Sequence, residues 1–179
     1  MTYFDVNLNL TDEDRALKEA AHKFAREVLR PVAKELDEMT PEQAIADDSP
    51  FWPFLKKSYE LGYHTVLLPA EVGGMGLSPN QVTIVLEELA WGSFGLALNL
   101  CVSSFAALGA ALSGNEELIK KFTVPFCACT DGSLRGCWGG TEPHHGSDVI
   151  GRGEPMCNVA RVSSHNKAKR AGAVGVDLG

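Results

Sequence analysis

The residues of this chain best suited to ligand chemistry lie together between Trp138 and Asp148, in the sequence WGGTEPHHGSD. Pro143 fixes one backbone angle, and Gly146 allows another group to approach the main chain closely. Thr141 and Ser147 add hydroxyl groups. Successive free N–H groups in turns of this kind form concave sites for anions. The stretch therefore predicts a strand followed by a tight turn that binds a phosphate group or a carbonyl oxygen.

Two pairs of side chains have the chemistry of metal ligands, but their spacing is unfavourable. His144 and His145 are adjacent, and neighbouring side chains in an extended loop point apart. Cys127 and Cys129 lack a second cysteine pair at the spacing of a structural zinc site. The five cysteines form an odd set without a secretory context, which favours free thiols. We expect no metal site, and we expect the two histidines to face solvent or a cofactor edge.

Helices must position this stretch, because the residues up to about 125 show helical periodicity and no convincing strand. Thr11 is a good N-cap, and three acidic residues follow it at the positive end of the helix dipole. Pro31 predicts a bend in this first helix, since its ring removes one backbone donor. The buried stripe of the helix repeats at spacings of three and four, at Leu17, Ala21, Phe24, Val28, Val32 and Leu36.

End signals define the later helices. A second helix is predicted from near Pro50 to Gly62, which is a suitable C-terminal cap. A glycine-rich loop follows, and Ser78 with Pro79 begins the next helix. Asn115 opens a short helix that Pro125 is expected to end.

The region between Leu89 and Asn115 contains no charged residue and has to be tested as a membrane span. A span needs roughly 20 apolar residues. Glycine, serine and asparagine interrupt this run, and no basic residue near either end could set an orientation. We expect two close-packed core helices here and no membrane span.

The sequence changes character after Thr130, where glycines recur every few residues without a helical period. This change predicts a helical domain over residues 1–130 and the beginning of a β domain over residues 131–179. The β-compatible runs Val159 to Val162 and Ala173 to Val176 are too few to close a sheet, because about three strands are needed for independent stability. The second domain is therefore expected to be incomplete.

Charge argues against several partner classes. The 179 residues carry 16 basic and 23 acidic side chains, a formal net charge of −7. Such a chain, with no basic tract, is repelled by a phosphate backbone, so we expect no nucleic-acid partner. The first residues lack a cationic start followed by an apolar region, which makes the cytoplasm the expected location.

The octapeptide from Thr141 to Asp148 resembles the T-E-P-x-x-G-S-D signature of the acyl-CoA dehydrogenase family. The loop from Pro69 to Leu77 is similar to the family's P-x-x-x-G-G-x-G-L loop, at the expected distance from the octapeptide. The resemblance covers residues 5 to 150 in order. It also includes Phe24 to Glu27, Pro31 to Ala33 and Leu86 to Ala90.

This resemblance implies a fold, a cofactor and a reaction. The fold is mainly α, with an N-terminal helical bundle domain followed by the first strands of a β-barrel-like middle domain. The reaction removes two hydrogens from the α and β carbons of an acyl-CoA thioester. The cofactor is FAD, the electron acceptor is an electron-transfer flavoprotein or a similar protein, and the complete enzymes are homo-oligomers.

The same resemblance assigns flavin contacts to ten consecutive residues, with Thr141 as a side-chain donor and Ser147 also touching the acyl-CoA. A flavin that receives a hydride needs fixed donors around its pyrimidine edge. Glu142 is expected to be structural, because the family's catalytic glutamate belongs to a C-terminal bundle, and no catalytic residue is identified in this chain. The ten residues are Trp138, Gly139, Gly140, Thr141, Glu142, Pro143, His144, His145, Gly146 and Ser147.

Two functions are compatible with these observations. The family continues after the signature with further strands and a long helical bundle that have no counterpart in these residues, so we expect the chain alone to be inactive. The leading hypothesis is an FAD-dependent acyl-CoA oxidoreductase. The alternative is a non-catalytic or degenerate family fragment that acts as a binding or partner subunit. Stoichiometric flavin absorbance distinguishes them.

Overall fold

The structure, a computed structural model, describes residues 9–138, 159–164 and 174–177. Within these residues the helices come first and a small antiparallel sheet follows. This arrangement confirms the mainly α fold with the first strands of a β region. The division into domains 1–130 and 131–179 stays a prediction.

The first helical segment runs from α1 (Asp12–Phe24) through a π-helical turn (Ala25–Leu29) into α2 (Arg30–Asp37). Thr11 caps α1 in a reciprocal capping box with Asp14, as the N-cap prediction requires. The π-helical turn lies immediately before Pro31, which has no N–H to donate to a carbonyl four residues earlier. The chain accommodates this missing donor with a wider turn in which the Arg30 N–H donates to the Ala25 carbonyl.

The second predicted helix is confirmed, and short turns surround it. A single turn, α3 (Pro41–Ala44), precedes α4 (Phe51–Glu60). Gly62 follows α4 with a φ of 80°, in the left-handed region that suits glycine. Two 3₁₀ turns, Tyr63–Thr65 and Ala70–Val72, then shape the glycine-rich loop.

The prediction of two core helices between Leu89 and Asn115 is wrong, because this region contains only the last residues of α5 (Pro79–Gly92) and one whole helix, α6 (Phe94–Leu112). Helix α5 begins at a Ser78 capping box, and α6 begins at Ser93, whose hydroxyl accepts from the Leu96 N–H. By length and composition, α6 is apolar enough to cross a membrane, with a mean hydropathy of 1.8. One side of α6 packs into the core of the protein through residues such as Leu96, Leu100, Ala107 and Ala110.

The prediction that Pro125 ends a short helix is wrong. Helix α7 (Glu116–Leu118) passes through a second π-helical turn (Ile119–Thr123) into α8 (Val124–Ala128). Pro125 occupies the first turn of α8, where a missing N–H costs little. The wider turn before the proline again keeps the helix continuous.

Three strands form one sheet in the order β1 (Leu134–Trp138), β2 (Val159–Ser164) and β3 (Val174–Asp177), with both pairs antiparallel. The run Val159 to Val162 therefore lies in β2, and residues 174–176 of the second run lie in β3, whereas Ala173 lies outside the described residues. The expectation that they are too few for a sheet is corrected by β1, which pairs with β2 and supplies the third strand.

The core lies between the helices and the start of β1. Its largest fully buried side chains include Tyr59, Phe54, Phe126, Leu29, Leu55, Leu68, Leu89 and Leu100. Aromatic rings from α4 and α8 therefore reach the same region as aliphatic side chains from α5 and α6.

Candidate functional site

Strand β1 leads directly into the predicted ligand-binding stretch. Trp138 is its last residue and pairs with Ala160 of β2. The structure describes the backbone of Trp138 and how the chain reaches it. The other nine predicted site residues lie outside the described residues, and they are Gly139, Gly140, Thr141, Glu142, Pro143, His144, His145, Gly146 and Ser147.

The turn before β1 is held by the Asp131 carboxylate. Its Oδ1 accepts from the Ser133 N–H at 2.9 Å and from the Cys129 thiol at 3.3 Å. Hydrogen bonds from Ser133, with a smaller one from Cys129, lower the pKa of Asp131 to about 2. The carboxylate is therefore ionised at neutral pH and holds the turn as an acceptor.

Leu134, the first residue of β1, has both of its backbone polar groups bound to side chains of the helical region. Its N–H donates to the Cys129 sulfur at 3.5 Å. Its carbonyl accepts from the Tyr59 hydroxyl at 2.9 Å. Cys129 and Tyr59 are both buried, so these contacts connect β1 to the core. We call this arrangement the Leu134 clamp.

Gly136 brings β1 against α6 without space for a side chain. A Cβ added at this glycine would lie 2.6 Å from the Ser103 carbonyl oxygen and 3.0 Å from the Ala106 Cβ. Both distances are shorter than ordinary van der Waals contact. Glycine is therefore required for this close approach.

A cation–π contact adds a further link between β1 and α4. The Arg135 guanidinium lies 5.0 Å from the centre of the Trp52 ring. The Trp52 indole N–H donates to the Ala46 carbonyl at 2.7 Å, which fixes the ring that the guanidinium covers. Strand β1 is thus held through three consecutive residues, Leu134 to Gly136.

Sequence analysis missed a buried histidine beside the Leu134 clamp. His64 is 2% exposed, and its ring stacks on Tyr59 with a centroid distance of 3.9 Å. Its Nε2 lies 3.2 Å from the Phe126 carbonyl, which can only accept, so Nε2 carries the proton. Burial lowers the pKa of His64 to about 4. No pattern around this single histidine could have indicated its burial.

A further cluster of titratable side chains surrounds the buried carboxylate of Glu88 in α5. His22 lies 2.7 Å from it and Lys18 lies 3.8 Å from it, and both residues belong to α1. This cluster connects two helices and lies far along the chain from the ligand-binding stretch. Within residues 9–138 and the two later strands, no group of three histidine, cysteine or acidic side chains could hold a metal ion.

An apolar cavity lies against α6. Its volume is about 240 Å³, and its lining residues are Phe105, Leu108, Gly109 and Leu112. The lining offers dispersion contacts and almost no hydrogen-bonding groups. Such a cavity suits a hydrocarbon surface rather than a polar group.

Comparisons with known proteins agree with the fold. The chain is 30% identical over 146 residues to the probable medium-chain specific acyl-CoA dehydrogenase 2, mitochondrial, of Caenorhabditis briggsae, a match that covers 82% of this chain and 33% of that protein. The chain thus spans about a third of the length of this relative.

Solved structures give similar matches. The structure of the glutaryl-coenzyme A dehydrogenase glutaryl-CoA complex aligns with a TM-score of 0.60 and 25% identity, covering 88% of this chain and 39% of that chain. An electron transferring flavoprotein structure from Acidaminococcus fermentans aligns with a TM-score of 0.58 and 27% identity, covering 80% and 35% respectively.

The family model described as the acyl-CoA dehydrogenase N-terminal domain matches residues 11–130. This range contains every helix of the structure. The chain therefore belongs to the acyl-CoA dehydrogenase family.

Proposed function

We propose that this chain provides the N-terminal part of an FAD-dependent oxidoreductase that removes two hydrogens from the α and β carbons of an acyl-CoA thioester. One observation carries the proposal. In a chain of this family, a strand anchored to the helical core ends at Trp138, and the T-E-P-x-x-G-S-D octapeptide follows three residues later.

The residue types of the stretch from Trp138 to Ser147 fit a flavin in their chemistry. Glycines at 139, 140 and 146 leave backbone N–H groups free of side-chain shielding, and Thr141 adds a hydroxyl donor. We assign the flavin contacts to Trp138 through Ser147, and Ser147 is also assigned to the acyl-CoA. The FAD supplies the hydride acceptor, and the residues of this chain bind and orient it.

The proposals about the catalytic base and about the partners rest on the same family assignment. We infer that Glu142 has a structural role and that these 179 residues do not contain the base. The partners proposed are the acyl-CoA substrate, an electron-transfer flavoprotein or similar acceptor, and further copies in a homo-oligomer. A cytoplasmic location is part of the proposal.

The alternative is a non-catalytic family member that serves as a binding or partner subunit. Both hypotheses predict the same helical fold, and they differ in whether residues 139–147 hold a flavin.

A flavin titration tests the proposal. Residues 1–179 are purified, FAD is added, and bound flavin is measured by its visible absorbance after gel filtration. The expected result is one flavin per chain, with no bleaching of the flavin on addition of acyl-CoA esters. A colourless chain that retains no added FAD would contradict the proposal and support the alternative. Bleaching by an acyl-CoA would show that the base lies within these residues, with Glu142 the first candidate.

A further inference from the structure

We propose that Tyr59 is a positioning residue for the flavin-binding stretch, acting through the Leu134 clamp. The inference rests on the proposed function, because it concerns the same FAD site. Tyr59 is on α4, far from residues 138–147 in sequence, and it is not part of any motif on which the family resemblance rests. The structure alone brings it to the beginning of the strand that ends at Trp138.

Packing around the Tyr59 ring holds its hydroxyl in position. The tyrosine is 1% exposed, and its ring lies parallel to His64 at 3.9 Å with an interplanar angle of 5°. The Phe126 ring meets it edge-on at 6.1 Å. Burial and these two neighbouring rings restrict rotation of the tyrosine, so its hydroxyl stays directed at the Leu134 carbonyl.

Strand β1 transmits the position of Leu134 to Trp138. The two residues are four positions apart, and a strand is extended at about 3.3 Å per residue. Gly136 lies against the Ser103 carbonyl of α6, which limits movement of β1 toward that helix. The Tyr59 hydrogen bond acts on the same strand two residues earlier. Together the two contacts define both the distance of β1 from the core and its orientation at Trp138.

The competing explanation is that Tyr59 only fills the core. In that case the ring carries the whole contribution, and the hydroxyl can be removed without effect on a ligand. Tyr63 provides the matched comparison. It is also a buried tyrosine, its ring stacks on Phe24 at 4.6 Å, and its hydroxyl has no hydrogen bond within the part of the chain that the structure describes.

The experiment compares Tyr59→Phe and Tyr63→Phe in the 179-residue chain. Each variant keeps its ring and loses one hydroxyl. The dissociation constant of FAD is measured by quenching of flavin fluorescence, and the band shape of the bound flavin is recorded in the visible spectrum. We expect Tyr59→Phe to weaken FAD binding by about twofold to tenfold, the range set by one net hydrogen bond, and to change the band shape. Tyr63→Phe should match the wild-type chain in both measurements.

The band shape separates positioning from stability, because a merely less stable protein binds less flavin but leaves the spectrum of the bound flavin unchanged. Gly136→Ala is the second variant, since it displaces β1 from its other contact. Gly136→Ala should change the band shape as Tyr59→Phe does. If Tyr59→Phe does not fold, the spectrum of Gly136→Ala is the measurement that tests the inference.

Equal FAD affinity and equal spectra for Tyr59→Phe and Tyr63→Phe would overturn the inference while the proposed function stands. An unchanged spectrum in Gly136→Ala would also overturn it. A wild-type chain that binds no FAD would overturn the proposed function, and this inference with it.

Discussion

At the scale of single residues, His64 combines deep burial with an unsatisfied nitrogen. Its Nδ1 has no hydrogen-bond partner among the described residues, and the ring is enclosed by Tyr59 and Phe126. A protonated ring would place a positive charge in this apolar surrounding. The folded protein therefore keeps His64 neutral, and its pKa falls from 6.5 to about 4.

This pKa predicts a pH dependence of stability. Between pH 6.5 and 4 the unfolded chain binds a proton at His64 that the folded chain does not, so the free energy of unfolding falls as the pH falls. The expected loss between pH 7 and pH 5 is about 2 kcal/mol. Urea unfolding of the wild-type chain and of His64→Phe at both pH values measures it.

The phenylalanine variant cannot take up the proton and should lose most of this pH dependence. Asp131 does not interfere, because its lowered pKa of about 2 places its effect below this window. An equal loss of stability in both proteins would show that His64 is not responsible.

A second residue-scale prediction concerns Thr141. We expect Thr141→Val to weaken FAD binding by about 1 to 3 kcal/mol, because an acceptor on the flavin would lose its hydroxyl partner. Flavin titration of residues 1–179 measures the change. Thr83→Val is the control, since its exposed hydroxyl donates to the Pro79 carbonyl at 3.0 Å and should not affect the flavin. Unchanged affinity in Thr141→Val would remove Thr141 from the site.

At the scale of elements, the glycine-rich loop between α4 and α5 depends on one close contact. A Cβ added at Gly74 would lie 2.2 Å from the Leu68 carbonyl oxygen. The backbone also folds back here, since the Gly74 N–H donates to the Pro69 carbonyl at 3.0 Å and the Gly76 N–H donates to the Leu68 carbonyl at 3.1 Å. The loop is therefore compact and tolerates little change.

We predict that Gly74→Ala lowers the free energy of unfolding by about 1 to 3 kcal/mol, because the loop must move to admit the methyl group. Gly95→Ala is the matched control. Gly95 is in α6 with nothing within 4 Å of an added Cβ, so alanine there should raise stability by up to about 1 kcal/mol. Chemical denaturation of both variants checks the pair, and a neutral Gly74→Ala would contradict the close contact.

The starts of helices could be predicted from the sequence more reliably than the end of the last helix. Helix starts at Thr11 and Ser78 were predictable because a capping side chain bonds to a backbone N–H only three residues away. Continuation of the last helix past Pro125 was not predictable. A wider turn that absorbs the missing N–H depends on packing against other helices, which local sequence rules do not include.

Part of the candidate site was predictable from the sequence, and part of it was not. The octapeptide was identified from its own residues and from a family resemblance. The Leu134 clamp was not, because Tyr59 and Leu134 are 75 residues apart and only the fold brings them together. His64 was missed for the same reason.

At the scale of the whole molecule, α6 packs into the core on one side, and several apolar residues on its other side are exposed in the part of the chain that the structure describes. On the other side, Phe94 is 69% exposed, Leu98 is 46% exposed and Leu112 is 78% exposed. These residues are separated by 4 and 14 positions, so they follow one face of the helix. The cavity beside Phe105 continues the same surface. A continuous exposed apolar surface favours association between proteins.

We therefore predict that residues 1–179 alone form associated species in size-exclusion chromatography, and that they show no dehydrogenation with an artificial electron acceptor. Leu98→Glu should shift the elution toward the monomer, because the charge would have to be buried between associated chains. Leu61→Glu is the control, since Leu61 is equally exposed at 46% but follows α4. A monodisperse wild-type monomer would contradict the prediction of association.

The two π-helical turns are positions where related chains can differ in length by one residue. Their hydrogen bonds span five residues instead of four, so each turn holds one residue more than the α-helix around it needs. Removal of Glu27, an exposed residue of the first turn, would let ordinary α-helical spacing replace the wide turn while the helices on both sides keep their buried faces. A one-residue gap just before Pro31 or Pro125 in an aligned relative therefore indicates the same helix with its wide turn removed, and not a different fold.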